Sequence, residues 1–215
     1  MSPTDTHYMQ HALRLAGRGL GLTAPNPTVG CVIVKDGQIA GRGWMQPGGR
    51  PHAETEALKQ AGELARGATA YVSLEPCSHH GKTPPCSEAL IAAGIRRVVV
   101  ACEDSNPKIS GNGIAQLKAA GIEITIGICK EAALALNAGF FARMEKGLPI
   151  VNLKIATSLD GKIAYPNGTP RWITGETARI YGHKLRAEHD AIVTGIGTAI
   201  TDNPELTCRI PGLEH

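Results

Sequence analysis

The sequence predicts an α/β fold in which helices cover both faces of a mixed, largely parallel sheet. Three observations predict it. Short apolar runs rich in Val and Ile alternate with segments of helical period through the first 146 residues. An Asp36-Gly37 pair sits between two early β-type runs, a strong two-residue hairpin signal. Glycine, 26 of 215 residues, is about 12% against a usual ~7%, which suits many tight connections.

The elements follow in order. A first helix is expected over Thr6 to Gly17, with Tyr8, Met9, Ala12, Leu13 and Ala16 on one face. Thr28 to Lys35 is a strand, and Gln38 to Gly43 returns antiparallel to it after the turn, which makes the sheet mixed. A helix spans His52 to Leu64 and is closed by Gly67. Thr69 to Leu74 is a strand, Cys86 to Ala93 a helix, and Arg97 to Ala101 a Val-rich buried strand. Gly113 to Ala120 is a helix, Ile122 to Ile128 a strand, and Glu131 to Lys146 one further helix.

Gly147-Leu148-Pro149 forms a joint, after which the pattern restarts. A strand over Ile150 to Ala156, a polar turn at Ser158 to Gly161 and a short strand lead to a helix from Glu176 to Ala187 and a strand from Asp190 to Thr194. So few residues are thin for an independent core. The expectation is a second domain cut short, over 147–212, with Leu213-Glu214-His215 left by a cloning tag. A homo-oligomer is expected as well, because the shortened segment must cover its apolar face.

Hydrophobic residues make up 42% and charged residues 19%, an ordinary globular balance. No apolar run approaches the ~20 residues of a membrane span, and the N-terminus lacks an export signal, so the expected setting is cytoplasmic, without a membrane partner. Basic and acidic residues number 22 and 19, a net charge of +3, and aromatics are 4%. That is too balanced for a nucleic-acid binder, which needs a basic stripe and stacking platforms. The six cysteines lack the setting of a disulfide framework. Cys31, Cys102 and Cys129 lie in or beside apolar runs and read as buried thiols, and Cys208 is uninformative.

Cys77 and Cys86 differ. His52-Ala53-Glu54 opens a helix, Pro76-Cys77 follows a strand, and Cys86 begins another helix after eight intervening residues. Two thiolates and a neutral imidazole would neutralise Zn²⁺ and leave a fourth tetrahedral position open. A metal so held lowers the pKa of water it binds to about 7. Glu54 then serves best as the base that takes a proton from that water and delivers it to a leaving amine. His-x-Glu followed by Pro-Cys and a second Cys is the pattern of zinc deaminases, although two residues usually separate the cysteines. A closed structural zinc site, or unmetallated thiols, is the alternative.

The insert Ser78-His79-His80-Gly81-Lys82-Thr83-Pro84-Pro85 lies between two metal ligands and so borders the reaction pocket. Its imidazoles, lysine and hydroxyls suit an anionic group such as a phosphate; the alternative is a rigid solvated loop that holds Cys86. Asn26, in a stiff turn between Pro25 and Pro27, can read a polar ring edge. Asp104-Ser105-Asn106-Pro107 follows the Val-rich strand, at the end of the sheet where α/β proteins bind ligands. Either segment alone is also a plain turn.

Pro25-Asn26-Pro27-Thr28-Val29-Gly30, His52-Ala53-Glu54 and the run from Glu75 to Cys86 closely resemble the bacterial bifunctional riboflavin-biosynthesis deaminase/reductase family (RibD, also RibG), over nearly the whole chain. The resemblance implies a cytidine-deaminase-like domain over 1–146 that hydrolytically removes the pyrimidine 2-amino group of diaminohydroxyphosphoribosylaminopyrimidine. It places one zinc on His52, Cys77 and Cys86, makes Glu54 the proton shuttle, and puts Asn26, His79, Lys82, Asp104 and Asn106 on the phosphoribosyl pyrimidine. A nucleoside or tRNA base deaminase is the alternative enzyme, and the long His- and Lys-bearing insert counts against it. A module that keeps zinc without chemistry is a third reading, opposed by Glu54.

The remainder resembles the start of that family's dihydrofolate-reductase-like domain, through Lys154 to Gly161, Arg171 to Gly175, Leu185 to Ala187 and Thr201 to Thr207. By resemblance, NADPH reduces the ribose of the deaminated product to a ribityl chain. Ala156, Trp172, Thr198 and Asp202 would contact NADP, while Arg186, Leu206 and Arg209 would hold substrate. Met45 stands where the family commonly has a histidine, and Pro170 where a serine is usual. The family's downstream acidic and glycine-rich cofactor segment is absent, so this chain is not expected to complete reductase turnover.

Overall fold

The computed structural model describes residues 3–81, 84–106, 110–164 and 172–213. It separates into one unit of residues 1–150 and another of residues 151–215.

In the first unit, strands β1 (Gly30–Lys35), β2 (Gln38–Trp44), β3 (Thr69–Val72), β4 (Arg97–Val100) and β5 (Glu123–Ile126) form a single sheet in the order β2-β1-β3-β4-β5. β1 runs antiparallel to both β2 and β3, and β3, β4 and β5 are mutually parallel. The sheet is therefore mixed, as the hairpin signal predicts. Asp36 and Gly37 both have positive φ, 49° and 78°, the conformation a two-residue turn between twisted strands requires. The central strands are the Val-rich runs, and Val32, Val72 and Val98 to Val100 are fully buried, as expected of strands covered on both faces.

Helices α1 (Pro3–Ala16) and α2 (Ala53–Ala61) lie on opposite faces. Gly30 of β1 lies against the backbone of α1, whereas Gly41 and Gly43, paired with the alternate β1 residues Ile33 and Cys31, lie against α2. A Cβ on Gly43 would come within 2.0 Å of the Ala53 carbonyl oxygen. Glycine here lets the first turn of α2 rest directly on the sheet. Helices α3 (Cys86–Ala92) and α4 (Asn112–Ala119) share the α2 face.

The expected helix from Glu131 to Lys146 is two: α5 (Lys130–Leu136) and α6 (Ala138–Lys146). Asn137 breaks it with φ −107° and ψ 24°, because its side chain is bonded to the backbone of Thr28, 109 residues earlier. The Cys31, Cys102 and Cys208 thiols are buried, Cys129 is half-buried, and all are free.

The second unit holds α7 (Glu176–Ala187), at its predicted position, and α8 (Ile196–Asp202), which the sequence pattern did not predict. The strands expected over Ile150 to Ala156 and Asp190 to Thr194 do not form. Strands need hydrogen-bonded neighbours, and these runs have none among the described residues. Val151, at 86% exposure, and Val193, at 94%, lie open.

Candidate metal centre and active site

The site lies where one strand end and two helix starts converge. β3 ends at Val72 and the chain continues through buried Ser73 to Pro76 before reaching Cys77. Pro85 caps α3 in an extended conformation (φ −61°, ψ 144°), and Cys86 is that helix's first residue. His52 caps α2 in the same way, so Glu54 falls in its first turn. First-turn placement lets residues two apart address one pocket, which a mid-helix spacing would not.

His52 Nδ1 is 3.2 Å from Cys86 Sγ and 3.6 Å from Cys77 Sγ. The three ligand atoms lie within 4.8 Å of one another, and no other such group of His, Cys, Asp or Glu occurs among the described residues. Bonds of ~2.0–2.3 Å to a tetrahedral ion put nitrogen–sulfur edges at about 3.6 Å. The donor set thus fits Zn²⁺ in size and softness. The hydrogen bond from the Cys86 thiol pulls Cys77 down to about 4, helped by His52 and the Cys86 backbone N–H, while the same bond and burial push Cys86 far up. The hydrogen bond to Cys77 raises His52 against the effect of burial.

Glu54 is 3% exposed. Burial, and then the nearby Cys77 charge, raises its carboxyl from the usual 4.5 to about 7.

The expected substrate residues are placed as follows. Asn26 is exposed, and its amide packs against Gly49, where a Cβ would come within 2.1 Å of Nδ2. His79, with Ser78, Asn112 and Gln116, lines an open groove of about 580 Å³. Asp104 is 4% exposed. Burial raises its carboxyl, and the hydrogen bond from the Asn106 backbone works against that. Its Oδ1 accepts the Asn106 N–H at 2.8 Å. Lys82 and Pro170 lie outside the described residues.

Two residues without a predicted role stand out. Arg50 Nη2 is 3.3 Å from where a Cβ on Gly81 would be, so a cation borders the His79 loop. Its position two residues before His52 was the available signal. Glu75, at the head of the Pro76-Cys77 motif, is a buried carboxylate bonded to four backbone N–H groups.

In the second unit, Arg186 donates to the Thr207 carbonyl at 2.9 Å and Arg209 to the Thr207 hydroxyl at 3.1 Å, so the two guanidinium groups flank Thr207, with Leu206 beside it at φ 57°. Arg209 also pairs with Glu205 at 2.6 Å. Thr198 and Asp202 are exposed one turn apart on α8, Ala156 is half-buried, and Trp172 is exposed under the Arg179 guanidinium, 4.7 Å from its ring.

Residues 2–102 match the model of the cytidine and deoxycytidylate deaminase zinc-binding region, and residues 149–215 match that of the RibD C-terminal domain. The chain is 53% identical to the riboflavin biosynthesis protein RibD of Escherichia coli, over 98% of this chain and 58% of that protein. It is 51% identical to that of Aquifex aeolicus, over 95% and 58%. Among solved structures, Acinetobacter baumannii RibD is similar with a TM-score of 0.88 and 54% identity, covering 96% of this chain and 58% of that one. A diaminohydroxyphosphoribosylaminopyrimidine deaminase/5-amino-6-(5-phosphoribosylamino)uracil reductase from Thermotoga maritima gives a TM-score of 0.92 at 44% identity, covering 97% and 60%. The chain spans about 58% of the length of the first of these relatives.

Proposed function

Since the chain belongs to the RibD family of riboflavin-biosynthesis proteins, we propose that its first 146 residues deaminate diaminohydroxyphosphoribosylaminopyrimidine. Water is added and ammonia leaves, giving 5-amino-6-(5-phosphoribosylamino)uracil. The observation that carries this reading is the convergence of His52, Cys77 and Cys86 beside a buried Glu54.

His52, Cys77 and Cys86 would hold Zn²⁺, which supplies the Lewis acidity that makes hydroxide available near neutral pH. Glu54 moves the proton. A carboxyl raised above the usual carboxylate range by burial can accept a proton from water and release it to the departing amine. Burial at 3% exposure keeps bulk water from competing for that proton. Asn26, Asp104 and Asn106 orient the ring, and the loop carrying His79 and Lys82, with Arg50 beside it, takes the ribose phosphate by charge-assisted hydrogen bonds.

Residues 147–212 are the N-terminal part of an NADPH-dependent reductase domain that converts the ribose of the product to ribityl. Ala156, Trp172, Thr198 and Asp202 contact NADP, and Arg186, Leu206 and Arg209 hold substrate. Two guanidinium groups around Thr207 suit a phosphate.

The test is zinc analysis joined to an ammonia-release assay on the phosphoribosyl pyrimidine, with cytidine and tRNA as competitors. Zinc near one per chain with release from the pyrimidine alone is expected. Release from cytidine or tRNA in preference to it overturns the substrate assignment.

A further inference from the structure

We propose that Glu75 is a positioning residue of the deaminase site, fixing the Asp104–Asn106 loop and the start of α4 in register with the metal ligand Cys77. The inference rests on the reading of the site given above. Glu75 is 4% exposed. Oε2 accepts the N–H of Asp104 at 3.2 Å and of Gly111 at 3.0 Å, and Oε1 accepts those of Gly113 at 3.0 Å and Ile114 at 3.3 Å. A buried carboxylate is costly unless its lone pairs are satisfied, and here backbone donors from a loop and a helix start satisfy them. Negative charge also suits a helix N-terminus, where the first N–H groups have no partner within the helix.

The geometry ties three segments distant in sequence to one point. The Glu75 N–H donates to the Cys102 carbonyl at 3.0 Å, which anchors the residue to the chain leaving β4. Pro76, with its fixed φ, is the single residue between the carboxylate and Cys77. Gly113 seals the other side: a Cβ there would come within 1.9 Å of the Pro76 carbonyl oxygen, so α4 sits directly on the peptide that leads to the metal ligand. Displacement of the Asp104–Asn106 loop from Glu75 is therefore displacement of Asp104 and Asn106 from Cys77. The carboxylate reaches substrate only through these neighbours, and its effect falls on substrate recognition.

Glu75→Gln keeps the shape but replaces one oxygen by an NH₂ group, which faces two N–H donors and loses one pair of bonds. Losing such bonds raises KM for the pyrimidine by about tenfold or more. The value of kcat stays within about threefold, zinc stays near one per chain, and backbone amide exchange quickens within 104–114. A KM within about twofold of wild type, or zinc and activity lost in parallel, overturns the proposal. If the Gln variant does not fold, Glu75→Asp, one methylene short, is expected to show the same KM rise with zinc retained. Failure of both to fold makes Glu75 a folding determinant and also overturns it. Should the wild-type chain release no ammonia from the pyrimidine, the functional reading falls. The exchange and zinc measurements then still decide whether Glu75 holds the segment.

Discussion

Asn137 and Thr28 are bonded in both directions: the Thr28 N–H donates to Asn137 Oδ1 at 2.8 Å, and Asn137 Nδ2 donates to the Thr28 carbonyl at 2.9 Å. A side-chain amide thus acts as a strand partner for the residues entering β1, and the Arg143 guanidinium donates to the Pro25 carbonyl alongside. Asn137, and Arg143 of α6, hold the two ends of the segment that carries Asn26. Asn137→Asp keeps the acceptor, loses the donor, and brings a buried carboxylate up to the Thr28 carbonyl. We expect a loss of about 2–3 kcal/mol in unfolding free energy, read as a lower urea midpoint at unchanged slope. A midpoint equal to wild type contradicts the clamp.

A change at Glu54 tests whether metal holding and chemistry are separable in the proposed site. Its carboxyl belongs to no ligand group among the described residues, so Glu54→Gln should leave zinc content unchanged. Ammonia release should fall by about 10²–10⁴, the usual contribution of a positioned general base. Metal analysis and the ammonia assay on one preparation decide it, and full activity would exclude Glu54 as the shuttle.

The sheet was legible because its strands are local statements: Val98 to Val100 are apolar whatever surrounds them, and Asp36-Gly37 carries its own turn geometry. The break at Asn137 was not, since its cause lies 109 residues away and the flanking residues are good helix formers. The clustering of His52, Cys77 and Cys86 was legible because donor chemistry and spacing limit the choices. Glu75 was quoted within its motif yet had no assigned role: its partners are backbone N–H groups, which every residue but proline has. Ile150 to Ala156 has the composition of a strand, but a strand also requires a neighbour, and composition does not supply one.

Cys77 is half-buried, with its sulfur held by the Cys86 N–H at 3.3 Å and its carbonyl by the Ser87 N–H at 3.1 Å. The peptide is thus fixed from the α3 side by backbone donors. Cys77→Ala removes one of the three proposed ligands and should take zinc from about one per chain to near zero. The sheet should survive, because its apolar core does not include His52, Cys77 or Cys86. Far-ultraviolet circular dichroism is expected to be unchanged while zinc and deamination are lost. Collapse of the helical signal on chelation would instead make the ion a structural one.

Asp5 joins α1 to the sheet through a bidentate pair, accepting from Arg97 Nη1 at 2.9 Å and Nη2 at 3.0 Å, with the Tyr71 hydroxyl donating to Oδ1 at 2.9 Å. The Arg97 hydrogen bonds hold the Asp5 carboxyl below its ordinary 3.8, against the upward effect of burial. A carboxyl with a lowered folded-state pKa binds fewer protons folded than unfolded. Its stabilisation is therefore complete above 3.8 and is lost as pH falls through the folded value. Asp5→Asn keeps an acceptor for Tyr71 but loses the charge and half of the fork. At pH near 7 it should lower stability by about 1–3 kcal/mol. That deficit should shrink once the pH drops below the ordinary value and approach zero when wild-type Asp5 is itself protonated. Parallel denaturation curves of the two proteins across this range test the point: a deficit as large in strong acid as at neutrality would mean that Asp5 stabilises through packing and not through its charge.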